Sequence, residues 1–247
     1  MPGLRLVLTA IAGPPWSEAA KAVFHVKRIA YAPVAQQPQL TNEDLREWTG
    51  LTNAPIAVYG DERPRAGWAD ILFLAERLAP EPRLIPAEPE ERIRFFGLAH
   101  EICGEDGFGW NRRHLMIREA LDPEGRGGAP REIAEYLAAR YDYGEAAASR
   151  APARIAEILR ALSRQLREQR ERGRRFLVGA SFSALDLYWA AFAALVKPLP
   201  PESCRMPQWL RTSYTIEDAE LGAAVDPALL EHRDRIYRDH LELPIDA

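Results

Sequence analysis

Residues 12–17 read AGPPWS, and the chain runs on into EAAKAVFHVKRI. A hydrophobic run, LRLVLTA at residues 4–10, feeds this proline-rich turn, and the turn opens a helix. Helix starts collect backbone N–H groups that have no intrahelical partner, which suits them to holding an anion or a thiolate. The side chains at hand are the hydroxyls of Thr9 and Ser17 and the indole of Trp16. Ser17 reads two ways, as a cap for that helix or as a donor toward a bound thiol, with Thr9 as the alternative donor. Trp16 reads as a ligand-stacking ring or as packing. No cysteine stands in the turn, which disfavours a thiol reductase that would need one there.

A second group of candidates lies in GEDGFGWNRRHLMI, residues 104–117, where glycines break a helical pattern and Phe108, Trp110, Arg113 and His114 cluster. Such a break reads as a binding wall or as interface packing. Cys103 and Cys204 stand far apart with no CxxC or Cys/His spacing nearby, so neither a disulfide framework nor a metal site is expected. Each reads as a small buried hydrophobe.

The elements that must position these residues follow from periodicity. LRLVLTA and IAYAPVA read as strands on either side of a helix, which makes a right-handed βαβ unit with parallel strands. Thr41 and Asp44 in TNEDLREW have the spacing of a capping box for a second helix. NAPIAVYGDERPR reads as two short strands around a Gly-Asp turn, and GWADILFLAERL as an apolar helix. A proline-rich joint, APEPRLIPAEPEE, follows. Everything beyond it is helical in pattern, and SALDLYWAAFAALV is apolar all round, which marks a helix enclosed by others. Ser183 and Asp186 form a capping box at its head, and Asp226-Pro227 opens a last helix.

Composition bounds the function. The 247 residues are 47% hydrophobic and 28% charged with a net charge of -4, and arginines alternate with acidic residues, so no nucleic-acid footprint stands out. No apolar run approaches the roughly 18 residues that span a bilayer, and the N-terminus lacks the pattern of a secretion signal. The expectation is a cytoplasmic protein with no membrane partner.

The layout resembles that of the cytosolic glutathione transferases. Three stretches carry the likeness: PPWSEAAKAVFHVKRI resembles the family's first turn and helix, APIAV its cis-proline strand start at Pro55, and SALDLYWAAFA its capping-box helix. The resemblance implies an α/β thioredoxin-like domain of order βαβαββα over residues 1–84, an all-α helical domain over 85–247, and a homodimer. It implies glutathione as co-substrate along Asn53, Ala54 and Pro55, with Trp16, Gly67 and Trp68 nearby, and a small hydrophobic electrophile against Phe108, Trp110, Arg113 and His114.

Two departures set the chemical question. Pro14 stands where the family has its catalytic Ser or Cys, and Ala66-Gly67 where it has Glu-Ser. Ionising a thiol of pKa near 8.5 at neutral pH takes about two units, or about 2.7 kcal/mol. A helix start supplies about 0.3 to 1 kcal/mol, and a hydrogen bond to a charged group about 1.5 to 3. A donor is therefore required, and proline offers none. Ser17, Thr9 or the N–H groups of Trp16 and Ser17 must supply it. The competing expectation is a non-catalytic ligand-binding or scaffold protein that keeps the fold and has lost the chemistry.

Overall fold

The computed structural model describes residues 3–124 and 128–245. Its first part alternates strand and helix: β1 (Leu4–Thr9), α1 (Pro15–Val26), β2 (Tyr31–Gln36), α2 (Glu43–Thr49), β3 (Ile56–Tyr59) and α3 (Trp68–Leu78). β1 is central, with sheet order β2-β1-β3. It runs parallel to β2, Leu4 opposite Tyr31 and Thr9 opposite Gln36, as the βαβ reading requires. It runs antiparallel to β3, with Val7 opposite Ile56. Leu4, Leu6, Val7 and Leu8 are buried because the central strand is covered on both faces.

Two local expectations are corrected. The second strand of the hairpin shrinks to a single bridge, in which Ala57 and Arg65 exchange backbone hydrogen bonds of 2.8 and 3.0 Å. Pairing cannot continue on one side because Pro55 has no N–H. On the other side, the Tyr59 carbonyl is taken by the Glu62 N–H at 3.0 Å to close the turn. Thr41 does not cap α2 either. The N-cap is Asn42, left-handed at φ 51°, a conformation asparagine tolerates. Its side chain closes the loop instead, accepting from the Gln37 N–H and donating to the carbonyls of Gln37 and Leu40, each at 2.8 Å.

After the proline-rich segment come α4 (Pro89–Cys103), α5 (Phe108–Leu121), α6 (Arg131–Arg140), α7 (Glu145–Glu171), α8 (Ala184–Phe192), a 3-10 turn (Ala193–Leu195), α9 (Gln208–Tyr214), α10 (Ala219–Ala223) and α11 (Pro227–His240). The glycine-rich break ends one helix and starts another. Every residue of α8 is buried, as its all-round apolar sequence demands. Its capping box forms, and the box is wired into a wider network. One oxygen of Asp186 accepts from the N–H (3.1 Å) and hydroxyl (3.2 Å) of Ser183; the other accepts from the Leu177 N–H at 2.9 Å and meets His232 Nε2 at 2.9 Å. Arg235 reaches His232 Nδ1 at 2.8 Å, which leaves the ring proton on Nε2, facing the carboxylate.

The apolar core is continuous from the sheet through α1 into α8, so the helical part holds the α/β part in one orientation. Lys27, 3% exposed, ties the ends of α1 and α3 by pairing with Glu76 and donating to the Ala79 carbonyl at 2.8 Å. Among the described residues no helix is long and apolar enough to cross a membrane.

Candidate functional site

A cavity of about 470 Å³ lies between the α/β part and the helices. One wall is the end of β1 and the turn into α1, with Thr9, Pro14 and Ser17; Gln37 and Ala54 flank it. The facing wall comes from α5, α6 and α9.

The turn is shaped by residues that the sequence makes conspicuous. Gly13 sits at φ +103°, and a Cβ there would lie 2.6 Å from Met206 Cε. Pro14 is the N-cap of α1 and Pro15 its first residue, so the first N–H groups the helix can offer are those of Trp16 and Ser17. Neither meets an acceptor among the described residues, whereas the Glu18 N–H already bonds Pro14 O at 3.0 Å.

Ser17 is therefore not the cap of α1, which corrects one of its two readings. It lies inside the first turn, 2% exposed. Its oxygen accepts from the Thr9 N–H at 3.2 Å, and its hydroxyl donates to Thr9 Oγ1 at 3.3 Å. Thr9 and Ser17 thus form a hydroxyl pair, and both residues line the cavity.

Trp16 is packed. Its Nε1 donates to the Cys103 carbonyl at 3.0 Å, and its ring meets Phe192 edge-on at 4.8 Å and Trp110 at 6.4 Å. Gly109 makes room for it, since a Cβ there would lie 2.4 Å from Phe192 and 2.8 Å from the Trp16 ring. The Ala54-Pro55 bond is cis, as its motif predicts. Ala54 lines the cavity, while the Pro55 ring turns into a small apolar gap shared with Trp68 and Tyr188. Trp68 packs edge-on against Tyr188 at 5.5 Å, Gly67 is the exposed N-cap of α3, and Asn53 is half-buried in the loop before Pro55.

The helical candidates separate by face. Gly109, Arg113, Met116 and Ile117 line the cavity, the stripe expected of one side of a helix. Phe108 is on the opposite side, fully buried against Trp189 at 5.9 Å, and does not reach the cavity. Trp110 turns toward Tyr141 at 5.9 Å, and His114 toward Tyr143 at 6.1 Å. Of the four, only Arg113 faces the space. Met116 and Ile117 were recoverable by stepping three and four residues on from Arg113. Tyr136 of α6 and Trp209 of α9, which also line the cavity, had no local sequence signal.

Arg113 has unusual company. Its guanidinium carbon lies 3.9 Å from the ring centre of Tyr141, 4.3 Å from that of Trp16 and 4.7 Å from that of Trp110. It makes no hydrogen bond or ion pair among the described residues, and its Nη1 is buried without a partner. Burial lowers its pKa, partly offset by Tyr141, yet a guanidinium keeps its proton at neutral pH. Burial also lowers the His114 pKa, with the Arg113 charge adding to the effect, so that imidazole is not poised to hold a proton. Cys103 and Cys204 are free thiols whose pKa values burial pushes up, which rules against either as the nucleophile at neutral pH.

No protein-family model and no curated protein match the sequence. Solved structures do. A glutathione S-transferase from Methylobacterium radiotolerans, in complex with glutathione sulfonate, aligns with TM-score 0.63 at 16% identity, over 96% of this chain and 91% of that one. A rice glutathione transferase in complex with glutathione aligns with TM-score 0.62 at 16% identity, over 98% and 92%. One from Methylobacillus flagellatus with glutathione bound aligns with TM-score 0.60 at 16% identity, over 90% and 99%. The chain has the glutathione transferase fold, in which a thioredoxin-like part precedes a helical bundle.

Proposed function

We propose that the protein is a glutathione-using transferase of the cytoplasm. Glutathione lies along the Ala54-Pro55 edge with its sulfur at the turn into α1 and a carboxylate at the start of α3. The sulfur, as thiolate, bonds to an electrophilic carbon of a second substrate; the leaving group departs with its electron pair and the thiol proton passes to solvent. The Thr9 hydroxyl, oriented by Ser17, and the N–H groups of Trp16 and Ser17 steady the thiolate in place of the donor that Pro14 lacks.

The observation that carries this reading is the placement of the Thr9–Ser17 hydroxyl pair on a cavity that also holds Ala54 and reaches the helical wall. Exposed Phe73 (45%) and Ile93 (75%) on neighbouring helices support a homodimer through that face. Pro14 and the Ala66-Gly67 pair favour the second reading, a ligand-binding protein without catalysis. Thiol conjugation of a general aromatic electrophile, assayed for the wild type, Thr9→Val and Ser17→Ala, separates them. Glutathione-dependent turnover that falls in Thr9→Val supports the transferase; saturable glutathione binding without turnover supports the second reading.

A further inference from the structure

Buried polar groups nearly always have partners, so a cluster of buried polar atoms without them asks what should sit there. Two such atoms belong to residues that line the cavity between the α/β part and the helices: Arg113 Nη1 on α5 and the Tyr136 hydroxyl on α6. A guanidinium carries five N–H donors. The rings around Arg113 stabilise its charge but accept N–H bonds only weakly. Arg140, which donates to Thr52 Oγ1 at 3.0 Å, stands 5.7 Å from the same Tyr141 ring and adds a second positive charge nearby.

Nothing negative answers this charge. The cavity lining contains no aspartate or glutamate, and no carboxylate of the described residues lies within 4.0 Å of an Arg113 nitrogen. Most of the remaining lining is apolar, with Ile11, Met116, Ile133, Leu137 and Leu210 around it, and its other polar side chains, such as Thr9, Ser17 and Gln37, carry no charge. An unpaired cation in a mostly apolar chamber that holds no other charge is matched by a ligand with one anionic end and a hydrophobic body.

We infer that the second ligand of this cavity is an apolar carboxylic acid, its carboxylate held by Arg113 with the Tyr136 hydroxyl as second donor and its body against α5, α6 and α9. As a substrate class this rests on the transferase reading, since it makes the electrophile an anion; as a binding site it stands without glutathione. A guanidinium fork fits a carboxylate through two parallel bonds, which an amide of the same shape cannot replace. Because Arg113 lies against Trp16, the acid's charged end is at the turn side of the cavity, beside the proposed thiol.

The test is calorimetric titration of the full chain, without glutathione, with naphthalene-carboxylate and with the neutral naphthalene-carboxamide. The carboxylate is expected to bind about 10- to 100-fold more tightly, the range of a charge-assisted hydrogen bond. Arg113→Met should abolish that preference while keeping the amide affinity, and Tyr136→Phe should reduce it. Equal affinity for acid and amide, no binding of either, or a preference that survives in folded Arg113→Met overturns the inference. The wild-type ratio is decisive even if a variant fails to fold. A separate glutathione titration reports on the transferase reading, so either can fail alone.

Discussion

Asp186 and Arg113 are both charged groups in apolar surroundings, and their surroundings differ in one respect. Around Asp186 every lone pair has an answer: two from Ser183, one from Leu177 and one from His232. Around Arg113 there are rings and the cavity, and among the described residues it makes no hydrogen bond. The adjacent Arg112 makes the contrast sharper. It is fully buried, where Arg113 is half-buried, and burial pulls its pKa to about 10, yet it donates to the carbonyls of Leu195 (2.9 Å), Ser213 (3.1 Å) and Tyr214 (3.4 Å). One helix thus carries, side by side, a cation whose hydrogen bonds tie it to the fold and a cation with none among the described residues. Charge burial alone does not mark a site; unanswered charge burial does.

The contrast breaks most visibly at Asp186. Asp186→Ala leaves the Leu177 and Ser183 N–H groups and His232 unanswered in the core, and should cost about 3 to 5 kcal/mol in urea denaturation. A loss below about 1 kcal/mol would mean that satisfied polar networks do not hold this fold. At the turn, Thr9→Val removes the proposed donor and should slow conjugation about a hundredfold, whereas Ser17→Ala, which removes only its orienting partner, should slow it about tenfold. The reverse order would make Ser17 the donor.

The two arginines give the next largest difference. Arg112→Met strands three carbonyls and should destabilise by about 2 to 3 kcal/mol. Arg113→Met strands none, and the loss of ring contacts is offset by removing an uncompensated charge, so stability should stay within about 1 kcal/mol of wild type. Equal losses would make both residues structural. The smallest effect belongs to His114. Its pKa is lowered in the fold from the ordinary 6.5, so its contribution is intact above that value and is lost as pH falls toward the lowered one. Between pH 7 and pH 5 the melting temperature of His114→Gln should fall less than that of wild type.

Legibility in the sequence followed distance along the chain. The Ser183-Asp186 box and the cis bond before Pro55 are local patterns, and both were readable. So was the enclosed helix α8, whose composition admits no other place. Thr41 misled because Asn42 can take a left-handed backbone and begin the helix without a side-chain cap. Phe108 misled because an aromatic residue beside a glycine break carries no sign of which face it occupies until the helix is docked. The partner of Asp186 at His232 stands 46 residues away, and the wall opposite Arg113 comes from α6 and α9; only packing brings these together.

The central claim is that main-chain donors and the Thr9–Ser17 pair receive an outside thiol and ionise it. Calorimetric titration with glutathione and with its S-methyl derivative, each repeated in two buffers of different ionisation enthalpy, tests it most directly. The account predicts saturable binding of both, with proton release at neutral pH for glutathione alone. Absence of saturation by glutathione, or binding with no proton released, would contradict it.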